Sequence, residues 1–456
     1  MSGNILERFK NAGQFGSIPK LVGDYEVDAG HYSAFWLEHA NRLAQLPTKD
    51  QRSAAQQSDA AAILDETRRA RSIFLNQHVE TLYRNLTADL TVKIRLEDLV
   101  TRTAEMVPGL VPSQETLVAE SQLDQKDKDG HEIDHGLLVG AIMGNQKCGL
   151  DLCHAMLLPK TQSLDLVDQF SQTGKVDLGT AVVERSGKVS TLWFKNPRHL
   201  HAEDENTLHE LEVAADLVLL DPKTEIVILR GSRIEAGKYA GQRVTNAGIN
   251  LTHLYRGKIS FLWYIIRDMG FVNKMFRGLA FPDTAATRLD GDTLEKPWIG
   301  TVETFAIGGG CQCLLATDFV VAEAQGYLTL PARKEGIIPG MANMRLPRFV
   351  GDRIARQAIQ YDRRIDCDSP EGRMICDLVV PREQFDQSLA DVADKLTNSG
   401  VVSAASNRRS FRVAEEPLDK FRQYMAVYAP EQAYCHFSPA LIRNLEQFWD
   451  AKNRKE

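Results

Sequence analysis

Several protein classes are excluded by what this chain has little of. Its seven cysteines, an odd number, stand at 148, 153, 311, 313, 367, 376 and 435. None is spaced CxxC with another, so neither a zinc knuckle nor a disulfide framework is indicated. Excess positive charge is also missing: 54 Lys and Arg against 61 Asp and Glu leave a formal charge of −7. That balance gives no electrostatic footprint for a nucleic-acid partner, although a local basic patch can still hold a small anion. No apolar run approaches the length of a membrane span, and the opening residues MSGNILERFK lack the apolar core of a secretory signal. Long-period repeats and low-complexity tracts are absent too. The expectation is a reduced, cytoplasmic protein with no membrane partner. What remains is ordinary globular material, 43% hydrophobic and 25% charged over 456 residues. That length suffices for two or three domains and a substantial core.

Two textures follow one another along the chain. From about residue 30 to 170 apolar residues recur at helical spacing, as in Leu75, Val79, Leu82 and Leu86, which predict one buried stripe. Asp124–Gly130 reads as a polar connection between helices. From about Lys175 the pattern changes. Val176–Glu184 and Val189–Phe194 read as strands joined at Ser186-Gly187. A helix carrying Leu208, Leu211, Ala215 and Val218 on one face ends at Asp221-Pro222. Ile226–Leu229 is a continuous apolar run, the mark of a strand buried on both faces. Trp298–Ile307 reads as another strand, and Phe319–Ala322 and Tyr327–Leu330 repeat its character. The last fifty or so residues are again helical. The class is α/β, with helical regions on either side.

The stretch Ala306–Ala316, AIGGGCQCLLA, opens a short helix with three glycines. Backbone N–H groups at a helix start have no partner, and a negative oxygen set against them gains hydrogen bonds and the helix dipole together. A glycine triplet alone is equally a tight packing turn. A second segment, Thr245–Leu251, supplies a matching donor if the two loops meet. Two amides aimed at one carbonyl oxygen make an oxyanion hole, which holds an enolate as readily as a tetrahedral intermediate.

Lys296–Gln312, together with Glu335-Gly-Ile-Ile-Pro-Gly340 and Arg345–Gly351, resembles the crotonase (enoyl-CoA hydratase/isomerase) signature. The order and spacing of Ala247–Asn250, the glycine triplet and IIPG agree with that family across roughly residues 175–440. The resemblance implies a crotonase-like ββα spiral core at 175–400. An all-helical N-terminal domain would precede it at 1–174, and a helical segment at 401–456 would serve packing or trimerisation. It further implies an acyl-CoA substrate and oxyanion N–H groups on Ile249 and Gly309. The coenzyme A site would comprise Arg233, Ala236, Gly237, Lys238, Tyr239, Ala247, Gly248 and Asn250. For Arg233 and Lys238 a solvated basic loop is the competing account.

The departures narrow the reading. Hydratases of the family carry glutamates at the positions of Gln312 and Ala332, and neither Gln nor Ala can move a proton near neutral pH. Gln312, the helical N-terminal region and the insert Arg256–Leu294 together resemble the cofactor-independent (3,5-dihydroxyphenyl)acetyl-CoA 1,2-dioxygenase branch. That resemblance implies no cofactor, no metal, O2 and an arylacetyl-CoA as substrates, and a homotrimer or homohexamer. It also implies Glu203, Arg267 and Gln312 at the ring hydroxyls, with Ile337 and Ile338 as apolar walls. Competing accounts are a surface pair of Arg267 with Asp268, a helix N-terminal charge for Glu203, and plain core packing for the isoleucines.

Other functions stay open at this level. A thioester hydrolase or isomerase of the same fold, a non-catalytic acyl-CoA-binding subunit and an iron oxygenase using His199, His201 and Glu203 are the rivals. His131–His135 spells HExxH but follows a turn and lacks a third ligand. Asp127, Asp129 and Gly130 mimic a calcium loop whose twelfth position is Gly136, where a bidentate acid is needed.

Overall fold

The computed structural model describes residues 18–398 and 401–454. The opening residues read for a secretory signal therefore lie outside the described residues. Among those described, no helix is long and apolar enough to cross a membrane.

Before residue 175 the described residues form seven α-helices, from Tyr25–Ala44 to Thr161–Thr173. The longest, Ala54–Leu86, starts in a capping box: the Gln56 N–H donates to the Ser53 hydroxyl and the Ser53 N–H donates to the Gln56 side chain. Leu75, Val79, Leu82 and Leu86 all lie on its buried stripe. Asp124–Gly130 is less solvated than its composition implies, because Gln125 and Lys128 are buried and donate to the carbonyls of His436 and Gly257.

From Lys175 onward a seven-stranded sheet forms. Val176–Glu184 reads as one strand but folds as two, Lys175–Asp177 and Ala181–Ser186, which pair antiparallel about a short turn. The hairpin to Val189–Phe194 stands where Ser186-Gly187 places it. Ile226–Gly231, Trp298–Val302, Phe319–Glu323 and Leu378–Val380 then add in that order, all parallel. Ile226–Gly231 is buried along its full length, as a continuous apolar run requires.

Trp298–Ile307 is likewise two strands. The second, Phe305–Ile307, leaves the large sheet and pairs in a three-stranded one with Tyr327–Thr329 and Ile365–Asp366. The break is local: Thr304 takes φ +64, and Glu303 is held by Arg230 at 2.6 Å. The chain thus changes sheets just before the glycine triplet. In the insert, Phe261–Arg267 runs through a wide π-helical turn, Asp268–Val272, into Asn273–Arg277. Such turns are often found at functional sites. Lys274 anchors this piece between Glu212 and Asp216, both at 2.7 Å.

The helix Leu418–His436 lies along Ile133–Gly144, and glycines let the two approach. A Cβ on Gly136 would stand 2.5 Å from the Ala433 Cβ. Through this contact one apolar core runs from Tyr32 through Phe261 to Leu445. Gly136→Leu is expected to cost about 1–3 kcal/mol by overpacking. The reading is a lower denaturation midpoint at unchanged m-value, and an unchanged midpoint would show that the helices separate freely.

Candidate active site

The loop Thr245–Leu251 and the segment Phe305–Leu314 meet edge to edge. Ile307 N–H donates to the Asn246 carbonyl and Gly308 N–H to that of Thr329, both at 2.9 Å. On its other side the loop is pinned by Glu203, whose N–H donates to the Gly248 carbonyl at 2.7 Å and whose carbonyl accepts from Asn250 N–H at 2.8 Å. Glu203 thus bonds the residues before and after Ile249, as in a parallel bridge. The Ile249 N–H faces away and has no acceptor among the described residues. Gly309 begins the helix Gly309–Leu314, so its N–H is one of the unpaired donors of the first turn. The first N–H to close that helix is Gln312's, onto the Gly308 carbonyl at 3.0 Å. The two loops touch: Gly309 N lies 3.2 Å from where a Cβ on Gly248 would stand, and Gly248 has φ +83. Glycine at 248 permits both the turn and the contact.

These amides border a pocket with about 440 Å³ of empty space, part of it open to solvent. Ile249, Gly309, Gln312, Arg267, Ile337 and Ile338 all line it. Sequence reasoning missed Trp263, Tyr264, Asp268, Glu335 and Tyr428, which line it as well. Glu203 is expected at the ring and does not line the pocket, because Arg267 and Asn246 occupy its carboxylate.

Arg267 is 2% exposed, so the surface-pair account fails. Its Nε and Nη2 fork onto Glu203 at 2.6 and 2.9 Å. Nη1 donates to the Gln312 Oε1 at 2.9 Å and to Asp268 at 3.1 Å, and Nη2 also meets the Gly309 carbonyl at 3.0 Å. Burial disfavours the cation, but Glu203, Cys313 and Asp268 together outweigh it and hold the guanidinium well above its ordinary pKa. Burial pushes the Asp268 carboxyl up to about 6 even beside Arg267. With its oxygen committed to Arg267, Gln312 keeps its amide N–H groups free of any partner among the described residues. Glu203 is no helix-end charge either, since Asp204 caps Glu205–Leu220.

Arg233–Tyr239 belongs to a loop outside this pocket, tied by Ile234 N–H to the Gln242 carbonyl and Gly241 N–H to that of Ile234. Arg233, Ala236, Gly237 and Lys238 are exposed. Tyr239 is half-buried against Phe305, ring centroids 5.4 Å apart, in the same apolar cluster as Ala247. The loop is therefore joined to the Ile249 segment by packing. Asn250 differs: its oxygen caps Leu251–Tyr255 and its nitrogen donates to Asp204 at 3.0 Å.

Among the described residues no three His, Cys, Asp or Glu side chains converge as a metal set. His201 is engaged by Asn196 N–H at 3.0 Å and the Ser232 carbonyl at 2.9 Å, which removes it from the iron triad. His135 of the HExxH match is buried, and burial alone pushes its pKa down to about 3.

The enoyl-CoA hydratase/isomerase family matches residues 287–428. A (3,5-dihydroxyphenyl)acetyl-CoA 1,2-dioxygenase of Amycolatopsis orientalis is 41% identical over 407 residues, 89% of this chain and 92% of that protein. The chain belongs to the crotonase family, in the branch of that dioxygenase. A short-chain-enoyl-CoA hydratase of Clostridium acetobutylicum is 26% identical over 52% of this crotonase and 82% of that enzyme. A solved enoyl-CoA hydratase from Mycobacterium avium subsp. paratuberculosis K-10 superposes with TM-score 0.48 at 18% identity, covering 59% of this crotonase and 98% of that chain.

Proposed function

We propose that this crotonase is a dioxygenase that oxidises an arylacetyl-CoA, (3,5-dihydroxyphenyl)acetyl-CoA, with O2. The products are the arylglyoxylate and free coenzyme A, and the reaction needs no cofactor or metal. The observation that carries the reading is the pair of unpartnered amides, Ile249 and Gly309, on contacting loops beside a pocket that Arg267 and Gln312 also line.

The chemistry follows from what each group can do. The α-hydrogens lie between an aryl ring and a thioester and are already acidic. Two amide donors on the thioester oxygen stabilise the enolate, each worth roughly 3 kcal/mol by analogy with other oxyanion holes. The electron-rich enolate reduces O2, and the carbon-bound peroxide attacks the thioester carbonyl and expels the thiolate. Gln312 and Ala332 offer no acid for adding water to an enoyl group, which argues against hydratase chemistry. The free Gln312 amide binds a ring hydroxyl, with Arg267, its N–H groups spent on Glu203, Asp268, Gln312 and the Gly309 carbonyl, holding Gln312 in place and Glu203 fixing Arg267 from behind. Ile249, Ile337 and Ile338 form dry walls that shelter O2 and keep water from the thioester. Arg233, Lys238 and the backbone of Ala236–Tyr239 receive coenzyme A, with Ala247, Gly248 and Asn250 shaping its path inward. We assign 1–174 as the helical domain, 175–400 as the core and 401–456 as the packing segment of a cytoplasmic trimer or hexamer.

The test is turnover of the arylacetyl thioester under isotopically labelled O2. Both atoms of one O2 molecule are expected in the product acid, with one thiol released per O2 consumed. Full-rate thiol release under nitrogen would instead identify a hydrolase, and loss of activity on chelation would identify a metal enzyme.

A further inference from the structure

Glu335 ends the short helix Ala332–Glu335 and lines the same pocket as Ile249 and Gly309. Only two carboxylates line that pocket among the described residues, and they are differently placed. Asp268 accepts from Arg267 at 3.1 Å and packs against Gly340. The Glu335 N–H donates to the Pro331 carbonyl at 3.0 Å, but its carboxylate makes no hydrogen bond or ion pair with any described residue. Its neighbours Arg333 and Lys334 turn to Asp362 instead. A half-buried carboxylate in a pocket also lined by Leu330, Ile337 and Ile338, with no cation paired to it, has a desolvation cost and no structural task. Position 332, where hydratases of the family carry a glutamate, holds Ala in this chain. Glu335 follows three residues later on the same helix face, and both residues line the pocket.

We infer that Glu335 is the base that takes the α-proton, an assignment that rests on the dioxygenase reading above. The α C–H bond breaks, its proton passes to a Glu335 oxygen, and its electron pair forms the enolate held by the Ile249 and Gly309 amides. O2 accepts the electrons and becomes a carbon-bound peroxide, whose outer oxygen attacks the thioester carbon. The C–S bond breaks, and Glu335 returns its proton to the departing thiolate. The same carboxylate then takes the second α-hydrogen while the O–O bond breaks, leaving a ketone and a carboxylate. One hydrogen ends on sulfur and the other in solvent.

A base works best with a pKa near the ambient pH. Burial, with Asp362 adding to it, raises the Glu335 carboxyl to about 7. Asp268, the other carboxyl of the pocket, is raised to about 6 and titrates in the same range, which the Asp268→Asn variant separates. Tyr264 and Tyr428 are raised well above their usual pKa by burial and stay neutral. His436, behind Tyr264, is pushed down to about 3 by burial and stays neutral. Arg267 stays charged against Glu203 and Asp268, while Arg333 and Lys334 are tied to Asp362. The helix Pro439–Trp449 brings Leu441 and Asn444 beside Gly336, and neither titrates. The carboxylate form is the competent one, so the rate rises with pH through about 7.

The experiment follows deuterium uptake at the α-carbon of the arylacetyl thioester in D2O under nitrogen, from pH 5 to 9, with substrate affinity measured alongside. Wild type is expected to exchange, with an acid limb near neutrality. Glu335→Gln is expected to slow exchange ~10²–10⁴-fold at unchanged affinity. Glu335→Asp is expected to restore part of the rate with a displaced limb; if Gln blocks binding, this variant decides by that displacement. Exchange by E335Q within a few-fold of wild type overturns the assignment, as does an undisplaced limb in E335D. So does loss of exchange in Asp268→Asn with E335Q still active. A wild-type protein that neither exchanges nor consumes O2 overturns the dioxygenase reading itself, and the assignment with it.

Discussion

Arg267→Met is expected to lower both activity and stability more than any other single change at the site. The guanidinium is buried among Glu203, Asp268, Gln312 and the Gly309 carbonyl. Removing it leaves two carboxylates in a low-dielectric interior without their cation, a loss of about 3–5 kcal/mol. Activity suffers twice. Gln312 loses the donor that holds its oxygen, and the first turn of the glycine helix loses the bond from Arg267 to the Gly309 carbonyl. A loss of roughly 10³-fold in kcat/KM, about 4 kcal/mol, is the expected scale. Lysine is not expected to rescue, because an ammonium cannot form the planar two-point fork onto Glu203. Steady-state rates and chemical denaturation measure the two effects. A Met variant with wild-type kcat/KM would show that Arg267 does not position Gln312 or the glycine helix for substrate.

Gly309→Ala probes the hole directly. An added Cβ would stand 2.6 Å from the Glu203 Oε1 and 3.0 Å from the Arg267 Nη2, so the helix start must shift or the pair must part. Either movement displaces an amide whose geometry decides its worth. The expected loss is about 10²–10³-fold in kcat, with KM little changed because the Arg233–Tyr239 loop proposed for coenzyme A lies outside this pocket. Anaerobic α-exchange should fall in parallel with O2 uptake. If uptake collapsed while exchange held its wild-type rate, Gly309 would not be stabilising the enolate.

Much of this architecture is legible in local pattern. Ile226–Leu229 announces a buried strand because its side chains need no alternation, and the Leu75–Leu86 spacing announces a helix stripe. The glycine triplet with Thr245–Leu251 indicates two amide donors, since each loop's unpaired N–H is a local property. The break at Glu303-Thr304 is not legible: no glycine or proline marks it, and the turn rests on Arg230, seventy-three residues before Glu303. Arg267 is ambiguous for the same reason. Asp268 beside it is the obvious partner in sequence, while Glu203 lies sixty-four residues away. Glu335 and Tyr428 carry no local sign of their place, because tertiary approach alone brings them to one pocket.

The helix Leu418–His436 contributes Tyr428 to the pocket, and it also grips the IIPG segment: Ile338 N–H donates to Gln432 at 2.8 Å and Met341 N–H to the Tyr424 hydroxyl at 2.9 Å. One wall of the reaction chamber is thus supplied after all the others have been synthesised, and it docks on a helix made near the beginning. A nascent chain that has released its sheet but not this helix lacks the Tyr428 wall and the two bonds that hold the IIPG segment. The pocket therefore takes its final shape only once the Leu418–His436 helix docks on one laid down some three hundred residues earlier.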